Sequence, residues 1–154
     1  MTKILEIFSD GACSGNPGPA AIGVVIKENN VVIKEVSRSI GLATNNIAEY
    51  AAVIEALEQS RALSAKRVII HLDSELIFNQ VRGTYQVKNE ELKRLCQKVK
   101  ELAQVFDGVE FRKVPREENK SADRLAREGV GAIPSSDGRP DVFHIGEESP
   151  SSKG

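Results

Sequence analysis

Apolar and polar positions alternate with period two over residues 3–10, which predicts a first strand. Gly11 to Pro19 reads as a turn-rich connection, with three glycines and two prolines in nine positions. The β-branched runs Ala21–Ile26 and Val31–Val36 flank Glu28-Asn29-Asn30, a hairpin signature. The first three strands therefore form an antiparallel meander. The period then changes. Ile47, Ala51, Ile54 and Leu57 fall at helical spacing and predict an amphipathic helix over 45–61. Val68–Leu72 is a short, nearly continuous apolar run, suited to a strand covered on both faces. A brief helix follows over 74–81, and then a turn at Gly83-Thr84-Tyr85. Leu92, Leu95, Cys96, Val99 and Leu102 mark a second long helix, Val109–Val114 a last strand stopped by Pro115, and Ala122, Leu125 and Ala126 a final helix beginning near Asn119.

The order β-β-β-α-β-α-α-β-α implies an α/β fold. Its sheet is mixed and five-stranded, three antiparallel strands followed by two parallel ones, flanked by helices. Residues 1–130 make one domain. From about Gly131 the chain turns to Pro, Ser, Gly and Glu, a composition expected to leave residues 131–154 largely flexible. The sticky stretch of that tail, Val142-Phe143-His144-Ile145, could dock as an extended segment.

With 154 residues, 40% hydrophobic and 28% charged, the chain has the make-up of a soluble globular protein. No apolar run approaches ~20 residues, so no membrane span is expected. Cys13 and Cys96 lie far apart in no metal-ligand spacing, as expected of reduced thiols in the cytoplasm. Asn119-Lys120-Ser121 matches a glycosylation sequon, which is idle without secretion. Net charge is −1, yet Arg82, Lys88, Lys93, Arg94, Lys98 and Lys100 face only Glu90 and Glu91 on one segment. That local excess suits a phosphate-tracking surface, although a charged helix is more often a solvated face.

The candidate chemistry rests on four acids. Each has a local explanation when taken singly. Asp10, at the end of the first strand, could be an Asx-turn residue. Glu49, three residues after Asn46, could close a capping box. Asp73 could be an N-cap, and Asp123 could serve the dipole of the last helix. Together they converge. Asp10 and Asp73 both stand at carboxyl ends of apolar strands, where open α/β sheets gather their sites. Glu49 and Asp123 each sit in a first helical turn, at the flank of an apolar stripe. Four adjacent carboxylates would repel one another unless a cation lay between them, and a hard divalent ion is the natural one.

Asp10-Gly11-Ala12-Cys13-Ser14-Gly15-Asn16-Pro17-Gly18-Pro19, Thr44-Asn45-Asn46-Ile47-Ala48-Glu49, Asp73-Ser74 and Glu118-Asn119-Lys120-Ser121-Ala122-Asp123-Arg124-Leu125-Ala126 together resemble type 1 ribonuclease H, in chain order and over about residues 1–130. The resemblance implies an endonuclease that cuts the RNA strand of an RNA–DNA hybrid, leaving 5′-phosphate and 3′-hydroxyl ends. It implies two Mg²⁺ ions, for which Mn²⁺ can substitute. Asp10 would bridge them, Glu49 and Asp73 would complete the nucleophile side, and Asp123 would hold the leaving-group side. It also places Asn16, Asn45 and Asn46 near the minor groove, where amides distinguish 2′-hydroxyls. Thr44 and Asn89 would grip a phosphate of the DNA strand, though both also read as helix caps.

Two departures from that family stand out. The loop Val114–Asn119 carries no histidine, and Arg116, whose pKa is too high for a base, is expected to add positive charge near the leaving group instead. Many relatives also insert a basic helix after the second helix, whereas this chain runs directly through Gly83–Lys88, so hybrid affinity would lean on the 88–100 helix. Neither His71, within a strand and expected to be structural, nor His144, in the tail, replaces the loop histidine. A 3′–5′ exonuclease of the same broad fold would need an acid at position 12, which is Ala12, and a transposase or integrase core would bring flanking DNA-binding domains. The remaining alternative is a hybrid-binding module without chemistry. A monomer is expected, since no apolar helix face advertises a partner.

Overall fold

Asn29 and Asn30 both adopt positive φ, 54° and 66°, and this lets a two-residue turn reverse the chain between two long strands. The hairpin they close belongs to a five-stranded sheet in a computed structural model that describes residues 2–131. The expectations for residues 132–154, docking of 142–145 included, lie outside that range. Strands β1 (Ile4–Cys13), β2 (Gly18–Glu28) and β3 (Val31–Ala43) form the antiparallel meander. Helix α1 (Asn45–Ala62) leads to β4 (Arg67–Leu72), which lies parallel to β1. Helices α2 (Glu75–Val81) and α3 (Glu90–Ala103) then carry the chain to β5 (Gly108–Lys113), parallel to β4. A 3₁₀ turn at Arg116–Glu118 precedes α4 (Lys120–Gly131). The sheet order is β3-β2-β1-β4-β5, three antiparallel strands followed by two parallel ones, as expected.

Two features differ from the sequence reading. β1 does not end at Asp10. The parallel ladder with β4 stops at Phe8↔His71, but the antiparallel ladder with β2 runs on through Asp10↔Gly23 to Cys13↔Ala20. The glycine-rich stretch therefore begins as strand, and the turn proper spans only Ser14–Pro17. Helix α1 also lacks a simple apolar stripe. Every residue from Tyr50 to Leu57 is buried, because the helix is wedged between the sheet and α3. The charge this buries, Glu55, accepts a 2.7 Å ion pair from Arg38 of β3.

Side-chain alternation assigns the helices to the two faces. Leu5, Ile7, Val68, Ile70 and Leu72 pack with Tyr50, Val53, Leu57, Leu95 and Val99 in the main core, so α1 and α3 cover one face. Burying that many large side chains, each worth about 1.5–3 kcal/mol, is what holds the layers together. On the opposite face α4 lies across β1, β2 and β3, and Ser37 of β3 donates to the Leu125 carbonyl at 2.7 Å. His71 is structural, as expected. It is buried, stacks on Phe8 at 4.3 Å, and its Nε2 lies 2.7 Å from Glu6 Oε2.

Candidate active site

The parallel register of β1 and β4, continued two residues past Phe8↔His71, sets Asp73 beside Asp10 at the carboxyl end of both strands. Two glycines then bring the flanking helices onto this spot. A Cβ at Gly11 would overlap the backbone of Ala48 and come within 2.6 Å of the Glu49 nitrogen, so only glycine lets α1 lie this close. A Cβ at Gly23, the pairing partner of Asp10, would overlap the Ala122 carbonyl and approach the Ala126 nitrogen to 2.6 Å, so α4 is seated there on bare backbone. One glycine delivers Glu49 and the other delivers Asp123. Carboxyl oxygens of Asp10, Glu49 and Asp73 all lie within 4.8 Å of one another. Asp123 flanks this group, in hydrogen-bonding contact with Asp10, while its Oδ2 accepts from Arg127 at 2.7 Å.

The electrostatic cost of this crowding shows in the acids. Burial, and then the charge of Asp73 and the hydrogen bond to Asp123, pushes Asp10 up to about 7. Burial and the charge of Asp10 raise Glu49 well above the usual carboxylate range. Carboxylates held against such a gradient are stabilised by any cation that enters among them. An all-oxygen set, with no histidine or thiol, suits Mg²⁺ or Mn²⁺ rather than zinc.

The local explanations separate clearly. Thr44 is the N-cap of α1, its Oγ1 accepting from the Ile47 N–H at 3.2 Å, so Glu49 lies in the second turn and closes no capping box. Ser74, not Asp73, caps α2. Asp123 does occupy the first turn of α4. Asn89 caps α3, with its Oδ1 accepting from Leu92 N–H at 2.9 Å. The Ser14–Pro17 turn is pinned to the start of α1, where Asn16 Oδ1 accepts from the Asn45 N–H and Cys13 Sγ donates to Asn45 Oδ1, both at 2.9 Å. Asn16, Thr44, Asn45 and Asn46 thus form one rim, with Asn89 on the separate start of α3. Arg116 lines an open groove of about 580 Å³ together with Asp123, Lys120, Arg124 and Arg127.

Asn119 is the residue that sequence reasoning missed. It is 1% exposed, and its Nδ2 donates both to the Ser9 carbonyl at 2.9 Å and to Asp73 Oδ2 at 2.8 Å. The amide thus holds Asp73 in place and ties the start of α4 to β1. A glycan could not reach it, so the sequon has no use here. Its visible signal was its place at the start of a helix, four residues before Asp123, whose N–H bonds back to the Asn119 carbonyl.

A family described as reverse transcriptase-like matches residues 8–129. Ribonuclease HI of Halobacterium salinarum is 38% identical over 127 residues, which is 82% of this chain and 64% of that protein. The chain belongs to the type 1 ribonuclease H family. Among solved structures, the N-terminal RNase H domain of a Mycobacterium tuberculosis protein superposes with a TM-score of 0.84 at 36% identity, covering 88% of this chain and 99% of that one. LC11-RNase H1, solved in complex with an RNA/DNA hybrid, gives 0.79 at 38% identity, covering 82% and 96%. A bifunctional protein of Mycobacterium tuberculosis matches at 37% identity over 159 residues, yet the chain spans only 43% of that relative's length. Among the described residues of this family member, no helix is long and apolar enough to cross a membrane.

Proposed function

We propose that the chain is an endoribonuclease that hydrolyses the RNA strand of RNA–DNA hybrids, with residues 1–130 as its catalytic domain, acting as a cytoplasmic monomer. The observation that carries this reading is the convergence of Asp10, Glu49 and Asp73 within 4.8 Å, with Asp123 against Asp10. The family relatives named ribonuclease H, one of them solved on a hybrid, support it.

The donor set fits two Mg²⁺ ions: Asp10, Glu49 and Asp73 would hold one, and Asp10 and Asp123 the other. When bound, such ions lower the pKa of water, stabilise the leaving oxygen and neutralise phosphate charge. The chain's own groups bind and orient. Thr44 and Asn89 use oxygen lone pairs for capping, which leaves the Thr44 hydroxyl proton and the Asn89 Nδ2 free to donate to a DNA phosphate. The two roles are therefore compatible. Asn16 likewise accepts through Oδ1 and keeps Nδ2 for a 2′-hydroxyl, beside Asn45 and Asn46. Arg116 lends positive charge on the Asp123 side and, always protonated, moves no proton.

A hybrid labelled on either strand, incubated with Mg²⁺ and with EDTA, tests the reading. RNA-strand cuts bearing 5′-phosphate and 3′-hydroxyl ends, an intact DNA strand and no cutting in EDTA are expected. Binding without cutting would instead make this a hybrid-binding module, a reading that leaves the clustering of four acids without a purpose.

A further inference from the structure

The charged segment singled out along the chain, 82–100, is partly neutralised in the fold. Lys93 and Arg94 lie 3.7 and 3.5 Å from Glu90 and Glu91 on the same helix face. A second basic surface lies elsewhere. The open groove between the 3₁₀ turn and α4 has a volume of about 580 Å³, and four cations line it, Arg116, Lys120, Arg124 and Arg127, against Glu117 and Asp123. Asp123 is shared between this groove and the acid cluster, so the two are continuous.

We infer that this groove carries the RNA strand away from the cut on the Asp123 side, with Lys120 and Arg124 contacting its phosphates. The inference rests on the hybrid-cleavage reading and extends it to residues outside the acid cluster and its asparagine rim. A phosphodiester lying over Asp10 and Asp123 has its next phosphates within the adjoining surface, and that surface must be cationic to hold them. Lys120 lines the groove and has no carboxylate ion-pair partner among the described residues. Arg124 reaches Glu128 at 3.0 Å, but both side chains are about half exposed, 52% and 56%, so the pair opens at little cost. The net charge of its lining is positive, opposite to that of the cluster it adjoins.

The test measures hybrid affinity against salt in an Asp10→Asn background, so that the strand stays intact. Lys120→Gln/Arg124→Gln is compared with its parent on a full hybrid, and on hybrids whose RNA strand is shortened on one side or the other of the cut. Each lost phosphate contact should reduce the slope of log K against log[salt] by about 0.7–0.9, so the double variant should lose between one and two units. Its affinity at low salt should fall on the order of tenfold. Both effects should vanish when the RNA is shortened on the side that reaches the groove. An unchanged slope, or a loss independent of which side is shortened, would overturn the inference. A chain that binds hybrid with this dependence, but whose unsubstituted form does not cut, would refute the cleavage reading and leave the groove standing.

Discussion

Asn119 contributes through its neighbours. Its amide ties Asp73 to the first strand, and it spans 110 residues to Ser9 and 46 to Asp73. Such a contact is invisible in a linear reading, because nothing near Asn119 in sequence reveals which strand ends will meet it. Asp10 was legible for the opposite reason. A carboxylate at the carboxyl end of an apolar strand shows in the linear pattern, and it gains its meaning beside the other three acids. Asn119→Ala removes a buried donor and its two hydrogen bonds, at a cost of about 1–3 kcal/mol. Groups that orient a metal ligand typically change affinity about 10–100-fold when removed. Calorimetric titration with Mn²⁺ should therefore show at least about tenfold weaker binding in Asn119→Ala. Unchanged affinity would make the amide purely a fold contact.

At the scale of elements, the strands and helices followed from periodicity, and their packing followed from two glycines that periodicity does not interpret. Gly11 sits in a stretch that reads as turn, yet it is strand, because β2 pairs with it while β4 has already ended. What decides this is the unequal length of the ladders on the two sides of β1, a property of the assembled sheet. The small residues Ala48, Ala51 and Ala52 permit α1 to approach, and Gly23 does the same for α4. Gly23→Ala should push α4 outward and draw Asp123 from Asp10. Overpacking of this kind costs about 1–3 kcal/mol. Thermal unfolding should show a fall of several degrees in Tm, together with weaker Mn²⁺ binding. A variant with parental values on both would show that α4 is not held by this contact.

For the whole molecule, the candidate site is a place where folding stability is spent on function. Asp10 is held at about 7 instead of 3.8, chiefly by burial, and burial raises Glu49 beside it as well. A folded-state pKa above the unfolded one stabilises the fold while the group is protonated. That contribution is complete below about pH 4 and is lost as pH rises through about 7. In EDTA, Tm should therefore fall between pH 5 and pH 8, and Asp10→Asn should flatten the fall. Mg²⁺ should restore Tm at pH 8, since cation binding requires the deprotonated acids. A parent whose Tm is flat over this range in EDTA would contradict the strained cluster.

Each acid alone reads in sequence as an ordinary turn, cap or dipole residue, and only their joint placement at strand and helix ends points to a site. Their union came from the parallel register of β1 and β4 and from the seating of α1 and α4. The most direct measurement of what that union does is the initial rate of RNA-strand cleavage in a hybrid at saturating Mg²⁺, for the parent chain and for Asp10→Asn, with circular dichroism confirming that both are folded. The convergence on Asp10 predicts a loss on the order of a few hundred-fold or more. An Asp10→Asn chain that cleaves within a few-fold of its parent would contradict it.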